Sequence, residues 1–281
     1  MNYRHGYHAG NFADVFKHAM QALILEHLKA KDTAFRIIDT HSGAGAHDLS
    51  SEAAMKTGEW AGGIGRLVDA TLTPAVEGLL QPYLSIVRAC LAAERPIYPG
   101  SPGLALALSR SQDRFVFCEK HPEEARLLRR YSGRDSRAQV LEMDGWEALL
   151  REVPPRERRG LVLIDPPFED PREFATLVEG LRTAHRRWAT GIFAIWYPIK
   201  GRREVDSFAR KIAALGIPKI LRAEVSLYRV ERIDRLNGCG MIVVNPPWKL
   251  AEEWSLVGPA LAEALSVEGS GTATLEWLAG E

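Results

Sequence analysis

Leu161-Val162-Leu163-Ile164-Asp165-Pro166-Pro167-Phe168 decides the fold. Four consecutive apolar residues read as a strand buried on both faces, and the two prolines end it by removing two backbone N–H donors. The residue that follows the run is a carboxylate, delivered to the carboxyl edge of a parallel sheet, where open α/β folds place their ligands. The loop is left with carbonyl acceptors, one carboxylate and an aromatic face. That set suits a planar base with an exocyclic NH2. Asp165 and the Pro166 carbonyl would take the two amine hydrogens, and Phe168 would stack on the ring. Such an amine is a poor nucleophile because its lone pair is delocalised; two hydrogen bonds favour a pyramidal nitrogen and free the pair for attack. A plain Pro-Pro turn after a strand has the same local pattern, so the surroundings decide.

Working toward the amino terminus, Phe35 to Ile38 is a short strand candidate that runs into Asp39-Thr40-His41-Ser42-Gly43-Ala44-Gly45. An acid followed by Gly-x-Gly after a strand is a nucleotide-type cofactor loop, since glycine lets the backbone approach a ligand closely. It is not the dinucleotide fingerprint, because Asp48 stands where the third glycine belongs. Arg114 to Glu119 is a strand candidate ending in an acid able to accept ribose hydroxyls. Gln139 to Gly145 is another, ending in Asp144-Gly145, where the acid can accept from an adenine amine. Each acid alone also reads as a helix cap or loop carboxylate. The order of Gly-x-Gly loop, ribose acid, adenine acid and Asp-Pro-Pro-aromatic is far more specific. It fits an adenosine-bearing donor with an already activated methyl group, as in S-adenosylmethionine, so that the protein supplies positioning and electrostatics.

Before the first strand, Tyr3-Arg4-His5-Gly6-Tyr7-His8-Ala9-Gly10-Asn11 is polar, aromatic and glycine-rich. A helix is predicted from Phe12, with Val15, Ala19, Leu23 and Leu28 at helical spacing and Lys17 and His18 early on it. His5, His8 and His18 lack the i, i+4 pairing and cysteine company of a zinc site, so no metal is expected. The segment is expected to cap the methionine end of the cofactor.

With these pieces in place the chain resembles, over essentially its full length, the bacterial 23S rRNA adenine-N6 methyltransferases of the RlmJ type. The resemblance rests on Tyr3-Arg4-His5, His8-Ala9-Gly10-Asn11 with Lys17-His18, Asp39-Thr40-His41 with Gly43-Ala44-Gly45, and Tyr98-Pro99-Gly100-Ser101-Pro102. It continues through Glu119 with His121-Pro122, Asp144-Gly145, Ile164-Asp165-Pro166-Pro167, Trp196-Tyr197-Pro198 and Asn245-Pro246-Pro247-Trp248-Lys249-Leu250. It implies a Rossmann-like α/β S-adenosylmethionine-dependent methyltransferase sheet with a late antiparallel hairpin. It also implies residue roles. His18, His41 and Ser101 would contact the methionine and sulfonium part, Glu119 the ribose, and Asp144 with Gly145 the adenine end. Asp165 would touch the cofactor and orient the target amine, helping to remove its proton, with Pro166 and Phe168 completing the catalytic loop. Lys17 would line the same pocket, and Tyr3 would reach the target nucleotide. Phe168 departs from the tyrosine that many members carry, which preserves stacking but not a hydroxyl.

Asn245-Pro246-Pro247-Trp248 repeats the acceptor-Pro-Pro-aromatic pattern. It follows two further strand candidates, Gly191 to Trp196 and Ile220 to Tyr228, so it reads as part of the late hairpin, with Trp248 able to line the substrate cleft. The catalytic loop belongs on the strand after the two cofactor acids, at Asp165.

The length of 281 residues fits one α/β domain over 1–281, with residues 46–99 as an inserted helical subdomain, because the stretch between Gly45 and Glu119 is too long for a simple strand–helix–strand unit. Pro82 is expected to break or kink the second helix there. Thr272 to Trp277 alternates like a final strand. Cys90, Cys118 and Cys239 have no paired spacing and read as reduced thiols; with no leader and no bilayer-length apolar run, a cytoplasmic protein is expected. With 36 basic and 36 acidic residues the net charge is zero, so there is no global basic footprint for nucleic acid. Local clusters such as Arg126, Arg129, Arg130, Arg134 and Arg137 fit either a phosphate track or a solvated face balanced by Glu123 and Glu124. The residues alone leave a DNA adenine or an amide methyltransferase open, and also a non-catalytic nucleotide-binding module. The resemblance points to 23S rRNA before full ribosome assembly, acted on by a monomer.

Overall fold

The structure is a computed structural model that describes residues 8–228, 232, 234–267 and 269–280. At its centre β6 (Gly160–Ile164) is buried along its whole length. It lies between β1 (Arg36–Asp39) and β7 (Ile192–Ile199) and is parallel to both. β4 (Arg114–Glu119) and β5 (Ala138–Glu142) extend the parallel sheet beyond β1. On the other side, β9 (Gly238–Val244) is antiparallel to β7 and to β8 (Ile220–Ser226), and β10 (Thr272–Ala279) closes the edge antiparallel to β8. The order is β10-β8-β9-β7-β6-β1-β4-β5. The resulting Rossmann-like sheet with a late antiparallel hairpin is the one the sequence predicts.

Period-two alternation divides the strand residues between two cores. Ile37, Phe115, Phe117, Leu161 and Leu163 face one core; Ile38, Val116, Cys118, Val162 and Ile164 face the other. The first core is covered by α1 (Phe12–Lys29), α4 (Pro74–Leu91), α5 (Ser101–Leu108) and α10 (Leu250–Leu265). The second is covered by α7 (Gly145–Glu152), α8 (Glu173–Arg187) and α9 (Arg202–Ala213). α1 starts where Asn11 caps it, its side chain accepting from the N–H groups of Ala13 and Asp14.

Residues 46–99 leave and rejoin the sheet through a two-stranded antiparallel ribbon of β2 (Ala46–Asp48) and β3 (Ile97–Pro99). Between them lie α2 (Glu52–Thr57), a π-helical turn (Ala61–Gly65), α3 (Arg66–Asp69) and α4. The break expected at Pro82 does not occur. α4 runs through it for 18 residues, because Val76, Leu80, Tyr83, Leu84 and Val87 stay buried on one face on both sides of the proline. That burial outweighs the single lost hydrogen bond.

Strand direction separates the two Pro-Pro loops. Val244, at the end of β9, pairs with Phe193 near the start of β7, so Asn245 emerges at the edge where the parallel strands begin. Asp165 stands toward the opposite edge: Ile164 is level with Ile195 of β7 and Val244 with Phe193, so the two loops lie about four residues, roughly 13 Å, apart along the strands and two strands apart across the sheet. The Asn245 amide donates to the carbonyls of Ala189 and Gly191, each at 2.8 Å, and so is committed to holding its own loop. Trp248 is 76% exposed and lies outside the catalytic cleft, contrary to the expectation that it lines it. No helix among the described residues is long and apolar enough to cross a membrane, and none of their His, Cys, Asp and Glu side chains cluster in a group that could hold a metal ion.

Candidate active site

The carboxyl ends of β1, β4, β6 and β7 and the turn after β5 open into one cleft of about 710 Å³, within the range of small-molecule and cofactor sites. Its lining includes His41, Ser101, Glu119, Asp144, Gly145 and Lys17, together with Asp165, Pro166 and Phe168. The four motif elements, scattered over some 130 positions of sequence, thus meet in one place.

Gly43, at φ +60, takes the left-handed backbone that favours glycine, and its N–H donates to Glu119 Oε2 at 2.9 Å. The second oxygen of Glu119 accepts from the His121 N–H at 2.7 Å. A carboxylate has about four acceptor sites, so about two remain open to the hydroxyls of a bound ligand. Asp144 caps α7, accepting from the Trp146 N–H at 2.9 Å, and takes a 3.0 Å contact from Lys120. Burial would raise its carboxyl, but Lys120 and the Trp146 N–H hold it below the usual carboxylate range. A Cβ on Gly145 would lie 2.3 Å from the Thr40 carbonyl and 2.8 Å from the His41 ring. Glycine there lets the turn after β5 close against the loop after β1. These spare acceptors, the glycine backbone and the cleft size fit an adenosine-bearing cofactor.

Below the loop, Ser101 donates to Asp39 Oδ2 at 2.5 Å. Burial pushes Asp39 up to about 6, against the pull of Ser101 and Lys17. Burial also lowers His41 to about 4, against Asp165 and Asp144. Its ring is therefore neutral near pH 7, and it sits edge-on to Trp146 at 5.6 Å and 2.8 Å from the Thr40 hydroxyl.

At the end of β6, Lys17 Nζ lies 2.5 Å from Asp165 Oδ2 and 3.0 Å from Asp14 Oδ1. Burial disfavours the charged lysine, yet the two carboxylates more than reverse that, and its pKa stands above the ordinary value. Phe168 has a positive φ of 52°, unusual for an aromatic residue. Its ring meets Phe174 at 5.0 Å and Trp196 at 5.9 Å, both edge-on. Trp196 and Lys200 also line the cleft.

Two further site residues were expected, His18 and Tyr3. His18 is fully buried beneath the cleft; its Nδ1 is 2.7 Å from the Tyr98 hydroxyl, which in turn meets the Tyr83 hydroxyl at 2.9 Å. It does not form part of the cleft lining. Tyr3 lies outside the described residues. Sequence reasoning assigned no individual role to Asp14, Trp146 or Trp196, although Asp14 stands i, i+3 from Lys17 on a predicted helix.

Comparison with known proteins agrees with this geometry. The family described as ribosomal RNA large subunit methyltransferase D, RlmJ, matches residues 32–279. The ribosomal RNA large subunit methyltransferase J of Escherichia coli K12 is 42% identical over 282 residues, covering 100% of both chains. The protein of the same name from Haemophilus influenzae is 39% identical over 283 residues, again covering 100% of both. A crystal structure of a Legionella pneumophila protein superposes with a TM-score of 0.86 at 32% identity, covering 96% of this chain and 98% of that one. The chain belongs to the ribosomal RNA large subunit methyltransferase D, RlmJ, family, and its methyl donor is S-adenosylmethionine.

Proposed function

We propose that this chain methylates the exocyclic N6 of an adenine in 23S rRNA, with the base turned out of its stack into the Asp165-Pro166-Pro167-Phe168 pocket. The observation that carries the reading is that this loop and the Glu119, Asp144 and Gly43 elements line one cleft. S-adenosylmethionine supplies an electrophilic methyl on a sulfonium. The protein's part is to hold that donor and the amine in line. Glu119 takes the ribose and Asp144 with Gly145 the adenine end, while His41 and Ser101 flank the methionine part. Asp165 Oδ2 is held by Lys17, which leaves Oδ1 as an acceptor for one amine hydrogen; the Pro166 carbonyl accepts the other. Phe168, braced by Phe174 and Trp196, stacks on the base. Asp165 is the acceptor toward which the amine proton moves. Extruding a base costs a few kcal/mol, least where it is already unpaired.

We read residues 1–281 as one unit in which 46–99 is an insertion, because Leu67, Leu80 and Leu84 share the core of α1 and the sheet. The enzyme is proposed to act as a monomer in the cytoplasm, on 23S rRNA before full assembly, when the target is still reachable.

The test uses purified protein, radiolabelled S-adenosylmethionine and unmodified 23S rRNA, with duplex DNA in parallel and digestion to nucleosides. Label in N6-methyladenosine from RNA alone is expected. Label in DNA alone, or in another nucleoside, overturns the reading.

A further inference from the structure

The arginines around α6 (Pro122–Ser132) fall into two groups. Arg129 is paired with Glu142 at 2.7 Å. Arg137 is paired with Asp135 at 2.7 Å, donates to the carbonyls of Leu106, Ser109 and Arg110, and lies over the Phe115 ring at 5.2 Å. These two are committed to the fold. Arg126, Arg130 and Arg134 are exposed, and none has a hydrogen-bond or ion-pair partner among the described residues. Glu123, one turn before Arg126, forms no ion pair with it.

Their spacing is i, i+4, i+8, which puts them on one stripe with a rise of about 6 Å between successive positions. Arg134 lies just past the C-cap Gly133, whose φ −66 and ψ −4 continue the right-handed course. Beside the stripe, Leu127 and Tyr131 are 40% and 43% exposed at the same i, i+4 interval. The Tyr131 ring is packed against the cofactor loop, since a Cβ on Gly45 would lie 2.9 Å from it. The other end of α6 reaches the active site, where His121 and Glu124 line the cleft. Glu124 to Arg134 is a rise of about 15 Å. On a chain of zero net charge, this is a line of uncompensated positive charge that leads away from the cleft mouth. A polyanion with spaced charges and exposed π faces is its complement.

We infer that the Arg126, Arg130 and Arg134 stripe is a docking track for the phosphate backbone of RNA flanking the target nucleotide, with Tyr131 beside it as a stacking surface. The inference rests on the RNA reading above and adds to it where the substrate leaves the cleft. Contacts of this kind set register and affinity and leave base identity to the pocket.

The test measures binding of an unmodified 23S rRNA fragment between 50 and 200 mM salt, with S-adenosylhomocysteine present, for the parent, for R126Q/R130Q/R134Q and for R129Q. Each phosphate contact contributes about 0.7 to 0.9 to the slope of log K against log salt. The triple variant is expected to bind roughly tenfold or more weakly and to lose about 2 to 3 from that slope, with parent S-adenosylhomocysteine affinity and Tm. R129Q is expected to lose less than one contact's worth. A triple variant with the parent's slope, or with no more loss than R129Q, overturns the inference. Binding is read without turnover, so the two readings fail separately. Parent protein that labels RNA while the triple keeps its slope removes only the track. Parent protein that binds RNA through the stripe but yields no N6-methyladenosine removes only the reaction.

Discussion

Lys17 Nζ sits 2.5 Å from Asp165 Oδ2, joining the first helix to the Asp165-Pro166-Pro167-Phe168 loop across 148 positions of sequence. The ammonium is shared with Asp14 at 3.0 Å, and all three side chains are largely buried. The helix therefore fixes one oxygen of the Asp165 carboxylate and leaves the other to the cleft.

Removing Lys17 should harm stability and chemistry together. Lys17→Met leaves two buried carboxylates without their counter-ion, a loss of about 3 kcal/mol or more. The double variant Asp14→Asn with Lys17→Met should recover part of the stability but none of the lost methyl transfer. Denaturant unfolding and single-turnover rates would check this; full recovery of the rate in the double variant would show that Lys17 does not position Asp165.

Asp165 and Glu119 should separate chemistry from cofactor binding. Asp165→Ala is expected to abolish methyl transfer and leave S-adenosylhomocysteine affinity within a few-fold of the parent. Glu119→Ala should weaken that affinity about 10- to 100-fold, as expected for lost charge-assisted hydrogen bonds worth about 1.5 to 3 kcal/mol. Calorimetric titration of both variants decides the point, and equal losses in both would contradict this division.

Phe168 should act on the RNA substrate and not on the cofactor. Base–aromatic stacking is worth about 1 to 3 kcal/mol per base, so Phe168→Ala should lower kcat/KM for RNA about 5- to 100-fold at unchanged S-adenosylhomocysteine affinity. Phe168→Tyr keeps the ring and should stay near the parent. A tyrosine variant as slow as the alanine variant would rule out stacking as the role of the ring.

Asp39 and His41 give opposite pH dependences of stability. Between 3.8 and about 6 the folded Asp39 keeps a proton that the unfolded chain has lost, so its contribution falls as pH rises. Between about 4 and 6.5 the unfolded chain holds a proton that folded His41 lacks, so that contribution rises with pH. The two nearly cancel from about 4 to 6. Asp39→Asn should expose the rise, up to about 3 kcal/mol across the window, and His41→Asn should expose the fall. Unfolding free energies at pH 4, 5, 6 and 7 test this, and variants that track the parent would contradict it.

Much of the candidate site is legible in the sequence. The strand into Asp165, the Gly-x-Gly loop, and the acids at Glu119 and Asp144 each carry a local signature. They sit where such a signature must fall, at the ends of apolar runs and the starts of helices. The helix does not break at Pro82, because local propensity counts one lost hydrogen bond whereas the buried face of α4 involves residues on both sides of it. His18 sits beside Lys17 in sequence but turns to Tyr98, since neighbouring helix positions point about 100° apart.

The sequence by itself determined the periodicities, the caps and the order of the motifs, because these depend on residues a few positions apart. Tertiary structure decided the rest. The antiparallel course of β9 sent Asn245-Pro246-Pro247-Trp248 to the far edge, Lys17 met Asp165, and Glu142 and Asp135 took two of the five arginines around α6 as ion-pair partners. Strand direction and long-range partners are set only when whole elements pack, and no short window of sequence encodes them.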